Sequence, residues 1–292
     1  MRLDLVDLDQ DRLGYTRFIS SWVIRDGGRT LVVDPGPPST IPHLRGALAA
    51  LGVVRVDGVL LTHIHIDHGG GAAHLVQDHP GAWVYCHESG RRHLVSPERL
   101  WQGSLTVLRD VARMFGPPAP LPAERLVDEA ALAALGIEVI PTPGHAVHHV
   151  AFQVQDVLFA GEALGTHQRL STGQPYLRPA TPPRFLPEVA LASIARLAGR
   201  EGRVAFAHYG LSEDPALWAA RATAQIHRWM TWARQTAQRE DWEPAFRALV
   251  LAEDPYCGGA QHLALSPAVR ERELNFLGNT LRGMHGAALE GC

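Results

Sequence analysis

The sequence has no lysine, and each of its 27 basic residues is an arginine. Lysine amines form Schiff bases with carbonyl substrates and hold phosphates in P-loop nucleotide sites. Both kinds of site are therefore excluded. The codon usage of a GC-rich genome also produces such a composition, so the absence of lysine needs no functional explanation.

Cysteine is scarce, with 3 residues that lie far apart: Cys86, Cys257 and Cys292. An odd number of cysteines without a Cys-x-x-Cys pair does not build a disulfide framework or a thiolate zinc knuckle. We therefore expect a reduced, cytoplasmic protein.

Long apolar runs and basic runs are also missing. No uninterrupted apolar stretch is long enough to cross a membrane, and Asp4 interrupts the segment where a signal peptide needs an apolar core. The net charge is −3 and the pI is near 6.6, which disfavours a nucleic-acid partner. At 292 residues and 46% hydrophobic content, the chain can form one large domain with an appendage. We expect a small-molecule substrate, and no membrane or nucleic acid as a partner.

Metal-ligand chemistry is concentrated in residues 62–70, which read Thr-His-Ile-His-Ile-Asp-His-Gly-Gly. An apolar run at 58–61 predicts a buried strand just before them, and the glycines predict the start of a helix. His63 and His65 have the spacing of an extended chain, so both point to one side. Asp67 and His68 fall in the turn, where they can face a second centre. Imidazole and carboxylate ligands suit zinc, iron or manganese.

Nucleophilic serine or cysteine catalysis has little support in the sequence. Ser104, Ser171 and Ser193 lack the strand–turn–helix context of a nucleophile elbow. A metal centre is therefore the chemistry that the sequence favours.

The stretch at 62–70 resembles the His-x-His-x-Asp-His signature of the metallo-β-lactamase-fold superfamily, and the resemblance continues as far as Gly210. Three later segments resemble the positions where that family places its remaining ligands: Thr142-Pro143-Gly144-His145, Phe159-Ala160-Gly161-Glu162 and Phe206-Ala207-His208-Tyr209-Gly210. One residue departs from the family pattern. The acid that bridges the metals is usually Asp in the family, and here it is Glu162, which is longer by a methylene.

The resemblance implies two divalent metal ions, with zinc expected and iron or manganese as alternatives. The first ion would be held by His63, His65 and His145, the second by Asp67, His68 and His208, and Glu162 would span both. Two such ions lower the pKa of a shared water toward about 7. Asp67 would orient that water and pass a proton to the leaving group, which makes it the predicted catalytic residue. Asp34 and His149 would support the ligands from behind.

The resemblance also implies an α/β fold, the four-layer αββα metallo-β-lactamase sandwich, with a helical C-terminal extension. We place the catalytic domain at 1–212 and the extension at 213–292. Apolar residues recur at helical spacing in the extension, and they would pack against the first domain or form the face of a homodimer. The amphipathic pattern at 95–115 predicts helical structure after Pro97.

Three classes of function are compatible with this resemblance. The first is hydrolysis of a thioester, ester or lactone, and a hydroxyacylglutathione hydrolase of the glyoxalase II branch fits best. The lactonase branch often has a tyrosine shortly after the bridging acid, where this chain has Gly165 and Thr166. The second is iron-dependent redox chemistry, in a persulfide dioxygenase or a diiron protein. The third is a catalytically silent binding scaffold. Phosphodiesterase activity also stays open.

A proline-rich stretch at 171–187 is the best candidate for a loop near the site mouth. Tyr176 and Arg178 are its predicted substrate-binding residues, because they offer an aromatic face and a cation that could pair with a carboxylate. The alternative for Arg178 is an ion pair with an acid of the C-terminal helices. A glutathione thioester would need cations at the mouth, and Arg169 and Arg184 are further candidates.

Overall fold

The computed structural model describes residues 1–10, 12, 14–170 and 172–290. Ser171, where the predicted loop begins, and Cys292 lie outside the described residues. Two five-stranded sheets and a two-stranded ribbon form the framework of the described chain.

The first sheet comes from the N-terminal part of the chain. β1 and β2 pair in antiparallel fashion, as do β2 and β3, while β4 and β5 continue the sheet in parallel. The strands, in their order across the sheet, are β1 (Arg2–Asp7), β2 (Ser20–Asp26), β3 (Arg29–Val33), β4 (Gly58–Leu60) and β5 (Trp83–Tyr85).

The second sheet follows in the chain and has the order β12-β11-β8-β7-β6. Its strands are β6 (Ile137–Pro141), β7 (Val150–Val154), β8 (Val157–Gly161), β11 (Arg203–Phe206) and β12 (Leu211–Glu213). Between β8 and β11 the chain forms the ribbon of β9 (Thr166–Arg169) and β10 (Pro175–Arg178).

Side chains alternate between the two faces of each strand, and this alternation builds four layers. Trp22, Ile24 and Leu60 of the first sheet meet Phe152 and Phe159 of the second in one apolar layer between the sheets. The intervening residues of the first sheet, such as Val23 and Val59, pack with the helices of the first half. The intervening residues of the second sheet, such as Leu158 and Val204, pack with the later helices. The predicted αββα sandwich is therefore confirmed.

Helices cover the outer face of each sheet. Those of the first half are α1 (Ile41–Ala50), α2 (Ala72–Asp78), α3 (Glu88–Val95), α4 (Glu98–Leu108) and α5 (Asp110–Phe115). The short helix α6 (Glu129–Ala133) instead places Leu132 in the layer between the sheets. Those of the second half are α7 (Pro187–Leu197), α8 (Pro215–Thr236), α9 (Trp242–Glu253), α10 (Gly259–Leu263) and α11 (Pro267–Glu290). No helix among the described residues is long and apolar enough to cross a membrane.

The segment 95–115 is helical after Pro97, as predicted, but Arg109, with a φ of +52°, divides it into α4 and α5. A second local prediction was wrong in part. The segment 171–187 is not a loop throughout, because Pro175–Arg178 pairs with β9. An apolar pattern cannot show a single residue with positive φ, and a strand of four residues leaves little periodic signal.

The chain after β12 is helical, as expected. Trp218 and Trp229 of α8 and Leu281 of α11 share one apolar core with Phe206 and Ile194 of the second half of the sandwich. The C-terminal helices thus pack on the outer face of the second sheet. The boundary between residues 212 and 213 stays a prediction.

Candidate metal centre

The histidine-rich loop begins where β4 ends. β4 lies between β3 and β5, so residues 61–71 leave the sheet at its carboxyl edge. The chain then turns tightly against itself before α2. A Cβ atom on Gly70 would lie 2.4 Å from the carbonyl oxygen of Ile66, so glycine is required for this close approach.

Asp34 lies behind this loop and is almost fully buried. Its carboxylate accepts hydrogen bonds from the backbone amide and the hydroxyl of Thr62, at 2.8 Å and 2.7 Å. Thr62 Oγ1 in turn lies 3.0 Å from His63 Nδ1. Asp34 therefore holds the residue that precedes the first predicted ligand, which is the geometry that its expected supporting role requires.

The remaining predicted ligands lie at the same edge of the sandwich. His145 lies in the turn between β6 and β7, Glu162 follows β8 directly, and His208 lies two residues after β11. Two hydrogen bonds tie the sheets together there: Val150 N to Thr62 O at 2.8 Å and Ser20 N to Ala207 O at 2.9 Å. These ligands lie far apart in the sequence but close together in space, because the strands that precede them end at the same edge of the sandwich.

The structure brings all seven predicted ligands together, in two groups. One group contains His63, His65, His145 and Glu162, and the other contains Asp67, His68 and His208. Within each group the ligand atoms lie within 4.8 Å of one another. The resemblance implies the same division of the six other ligands, with Glu162 expected to span both groups. Each group contains enough nitrogen and oxygen donors to bind a metal ion.

Glu162 contacts both groups. Its Oε2 atom lies 2.9 Å from His145 Nε2 and 3.4 Å from His63 Nε2. Its Oε1 atom lies 2.9 Å from His208 Nε2. The longer side chain of glutamate therefore reaches the position between the groups where a bridging carboxylate is expected.

Several buried ring nitrogens at this site have no hydrogen-bond partner. Nε2 of His63 and both ring nitrogens of His68 are buried and unpaired among the described residues. A buried polar atom without a partner costs about 1–3 kcal/mol, so such atoms need an explanation. A cation held among these imidazoles and carboxylates supplies the missing partner for the Nε2 atoms. The residues present therefore fit a metal centre.

The outer nitrogens of the other ligands are held by the protein. His208 Nδ1 lies 2.9 Å from the carbonyl oxygen of Phe18, and His145 Nδ1 lies 3.1 Å from that of Ala180. These contacts fix the ring orientation and leave Nε2 facing the site. His149 is buried behind Glu162, and its Nε2 accepts a hydrogen bond of 3.0 Å from the Glu162 amide. The supporting role predicted for His149 agrees with this position, although its effect on the centre stays a prediction.

Neighbouring charges and burial shift the pKa values of the residues in the cluster. Burial lowers the pKa of His63 well below 6.5 and lowers that of His65 to about 4. Burial acts in the same direction on His68, but Asp67 and Glu162 outweigh it and raise its pKa to about 9. Burial alone would raise the pKa of Glu162, but His145 and His208 hold it well below 4.5. The carboxylate of Glu162 therefore stays charged, which is the state that a metal ligand requires.

A cavity of about 520 Å³ opens onto the cluster. Five predicted ligands reach its wall: His65, Asp67, His145, Glu162 and His208. Most of its remaining wall comes from α3 and α4 on one side and from residues 180–183 and α11 on the other. The cavity has the size of sites that bind small organic ligands.

Tyr176 and Arg178 are both buried in the ribbon of β9 and β10. Tyr176 packs in the apolar core of the second half and does not border the cavity. Arg178 borders the cavity, but its Nε donates a 2.7 Å hydrogen bond to Glu273 of α11. This ion pair is the structural alternative that the sequence left open. Substrate binding by these two residues stays a prediction.

Several residues that border the cavity carry no signal in the sequence that would have selected them. These are Arg92, Arg99, Leu100, Val107, Leu108 and His148. The amphipathic pattern of α4 was visible, but an apolar helix face that borders a cavity has the same pattern as one that packs in a core. His148 follows the metal-binding turn, and only the fold shows that its ring lies 5.7 Å from that of His65.

Comparisons with known proteins agree with this geometry. The profile of the Metallo-beta-lactamase superfamily matches residues 14–208. The chain is 33% identical over 156 residues to a hydroxyacylglutathione hydrolase of Aeromonas salmonicida, an alignment that covers 53% of this chain and 50% of that protein. It therefore matches only half of that relative's length. A hydroxyacylglutathione hydrolase of Albidiferax ferrireducens is 30% identical over 245 residues, with 80% of this chain and 78% of the relative covered.

Two solved structures have the same fold. The archaeal metallo-beta-lactamase superfamily protein ST1585 from Sulfolobus tokodaii superposes with a TM-score of 0.67 at 21% identity, covering 97% of this chain and 98% of that one. TTHA1623, solved in a di-iron-bound form, superposes with a TM-score of 0.50 at 28% identity, covering 75% and 98%. The profile match includes all seven ligands and both sheets apart from β1 and β12. The chain therefore belongs to the metallo-beta-lactamase superfamily.

Proposed function

We propose that this protein is a dinuclear metallohydrolase that cleaves a thioester or ester of a small organic molecule. The observation that carries the proposal is the position of Glu162, whose two carboxylate oxygens contact ligands of both groups at the base of the cavity. Homologues named hydroxyacylglutathione hydrolase, at about 30% identity, support a hydrolase and a thioester substrate.

The metals and the protein have separate tasks in this proposal. Two divalent cations, zinc by preference, would lower the pKa of a water molecule and polarise a carbonyl oxygen when bound. The carboxylate of Asp67 lies 3.4 Å from His68 Nε2 and borders the cavity, so it can accept a proton from that water and return it to a leaving group. His145 and His208 keep their Nε2 atoms directed inward through their bonds to Ala180 and Phe18.

Iron-dependent chemistry is the second candidate function. The di-iron form of TTHA1623, at 28% identity, supports it, because imidazole and carboxylate ligands also suit iron. A small-molecule substrate is common to both candidates, given the cavity of about 520 Å³. The cytoplasmic location and a homodimer stay predictions from the sequence.

Metal analysis and a substrate screen test the proposal together. Protein purified without added metal would be analysed for zinc, iron and manganese, then assayed with thioesters, lactones and phosphodiesters. We expect zinc and thioester or ester hydrolysis that His65→Ala abolishes. His227→Ala is the matched control, because His227 is exposed on α8, away from the site. Iron content with oxygen consumption and no hydrolysis would instead support the second candidate.

A further inference from the structure

The cavity above the metal centre has an apolar wall whose residues are at most partly covered by the core of the first half. α4 has no fully buried residue, although one of its sides is apolar. Leu100, Val107 and Leu108 of this helix border the cavity, and Phe276 of α11 borders it too. Val107 keeps 45% of its surface exposed. A wall of this kind is suited to the apolar part of a ligand.

Two arginines border the same cavity beside this wall. Arg92 lies on α3 and Arg99 lies near the start of α4, and both are exposed. Throughout the described chain, no carboxylate lies within 4.0 Å of either guanidinium, in contrast to Arg178 and its partner Glu273. The side chain of Arg92 donates a 3.2 Å hydrogen bond from Nε to His93 Nε2, which leaves both terminal nitrogens available. The pair therefore offers an anion site with charge that the protein does not neutralise.

The carboxylates that border the cavity are Asp67 and Glu162, and both belong to the metal cluster. The cavity thus has three regions: the metal ligands at its base, an apolar wall from α4 and α11, and two free cations from α3 and α4. A ligand that contacts all three needs a hydrolysable carbonyl, an apolar chain and an anionic group.

We propose that the substrate is an acyl thioester with an apolar acyl chain and an anionic thiol part. The acyl chain would lie against Leu100, Val107 and Leu108, and Arg92 and Arg99 would bind phosphate or carboxylate groups of the thiol part. This inference rests on the proposed hydrolase function. In the reaction, water adds its oxygen to the acyl carbon, the carbon–sulfur bond breaks, and a proton passes to the sulfur, which yields a carboxylic acid and a thiol.

Kinetics on three series of thioesters test the inference. Acyl chains from acetyl to decanoyl would be joined to coenzyme A, which carries phosphates, to glutathione, which carries carboxylates, and to neutral N-acetylcysteamine. We expect kcat/KM to rise about two- to fourfold per methylene over the first few methylenes, because each buried methylene contributes to binding. The two anionic series should have at least tenfold lower KM than the neutral one, and their ranking identifies the anion.

Two variants, each with a control, assign these effects to residues. Arg92→Ala combined with Arg99→Ala should raise KM about tenfold for the anionic series and leave the neutral series nearly unchanged. Val107→Asp should flatten the dependence on chain length. Arg234→Ala and Thr106→Asp are the controls, because Arg234 is exposed on α8 and Thr106 is exposed on α4 without bordering the cavity. Equal effects on charged and neutral esters, or an unchanged chain-length dependence in Val107→Asp, would overturn the inference.

Equilibrium binding separates this inference from the proposed function. Decyl and ethyl thioethers of coenzyme A cannot be hydrolysed, and their affinities can be measured by calorimetry on the metal-loaded protein. Tighter binding of the decyl compound, weakened by the double arginine variant, would support the inference even if no thioester is hydrolysed, and the proposed function alone would then fail. Equal affinity of the two thioethers, or no effect of the arginines, would overturn the inference.

Discussion

The guanidinium of Arg272 lies over the ring of Phe18, with Cζ 3.9 Å from the ring centroid. Arg272 is buried on α11 and also donates to the carbonyl oxygen of Gly14 and to the side chain of Gln168. Phe18 in turn provides the carbonyl oxygen that lies 2.9 Å from His208 Nδ1. A residue of the C-terminal helices thus holds the segment that orients a metal ligand.

Arg272→Ala should therefore weaken both the fold and the second ligand group. Removing one partner of a buried ion pair typically costs about 3–5 kcal/mol, because a charge is left without compensation. Urea denaturation would measure the loss, and metal analysis would detect lower occupancy. Arg282→Ala is the matched control on the same helix, since Arg282 is half exposed and should contribute less than about 1 kcal/mol. Equal stability and metal content in the two variants would contradict this role.

The ion pairs of Glu273 should make stability depend on acid pH. Although burial acts in the opposite direction, Arg178 and Arg272 lower the pKa of Glu273 from 4.5 to about 2. Because the folded pKa is lowered, the stabilisation is complete above pH 4.5 and is lost as the pH falls toward about 2. At neutral pH this stabilisation adds roughly 3 kcal/mol to the free energy of unfolding.

Glu273→Gln removes this contribution at neutral pH. Urea denaturation of both proteins, stripped of metal by chelation, should show a stability difference at pH 7 that shrinks between pH 4.5 and pH 2. A difference that stays constant over this range would show that Glu273 is not the group responsible.

Glu162→Asp tests whether the longer acid is matched to this cavity. Shortening the side chain by one methylene should withdraw it from one of the two groups, because the present side chain reaches both His145 and His208 at 2.9 Å. We expect the variant to bind one metal ion more weakly, with little change in melting temperature. Competition with a chelator measures this, and equal retention of both ions by the two proteins would show that the glutamate has no special role.

Asp67→Asn tests the proposed proton transfer. The amide keeps the shape of the side chain but cannot accept a proton, and the loss of a general base typically lowers kcat by about 10²–10⁴-fold. KM should change little if Asp67 acts on the water and not on the substrate. Because Asp67 is also a predicted ligand, metal content must be measured in parallel. Near-normal turnover with full metal content would exclude Asp67 as the catalytic base.

Much of the site could be predicted because the ligands carry chemistry that other residues cannot supply. His63, His65, Asp67 and His68 lie in one short loop, and each later ligand ends an apolar run that reads as a strand. The resemblance to the metallo-β-lactamase-fold superfamily implies the sandwich and the roles of His145, Glu162 and His208. In the structure, the strands before these residues end at the same edge of the sandwich as the histidine-rich loop.

The environment of the site could not be predicted, because it depends on which surfaces face each other. Arg178 and Glu273 are 95 residues apart, and only packing of α11 on the ribbon joins them. Nothing in the sequence distinguishes Arg92 and Arg99 from the other arginines. Only the fold shows that both border the cavity. The break between α4 and α5 depends on the backbone of Arg109 alone.

The number of metal ions per chain tests the central claim most directly. Elemental analysis of protein reconstituted with zinc, dialysed and assayed for thioester hydrolysis would give the stoichiometry together with the activity. We predict two ions per chain, with Glu162→Gln losing at least one of them and most of the activity. One tightly bound ion with full activity, in the wild type and in Glu162→Gln alike, would contradict the dinuclear centre.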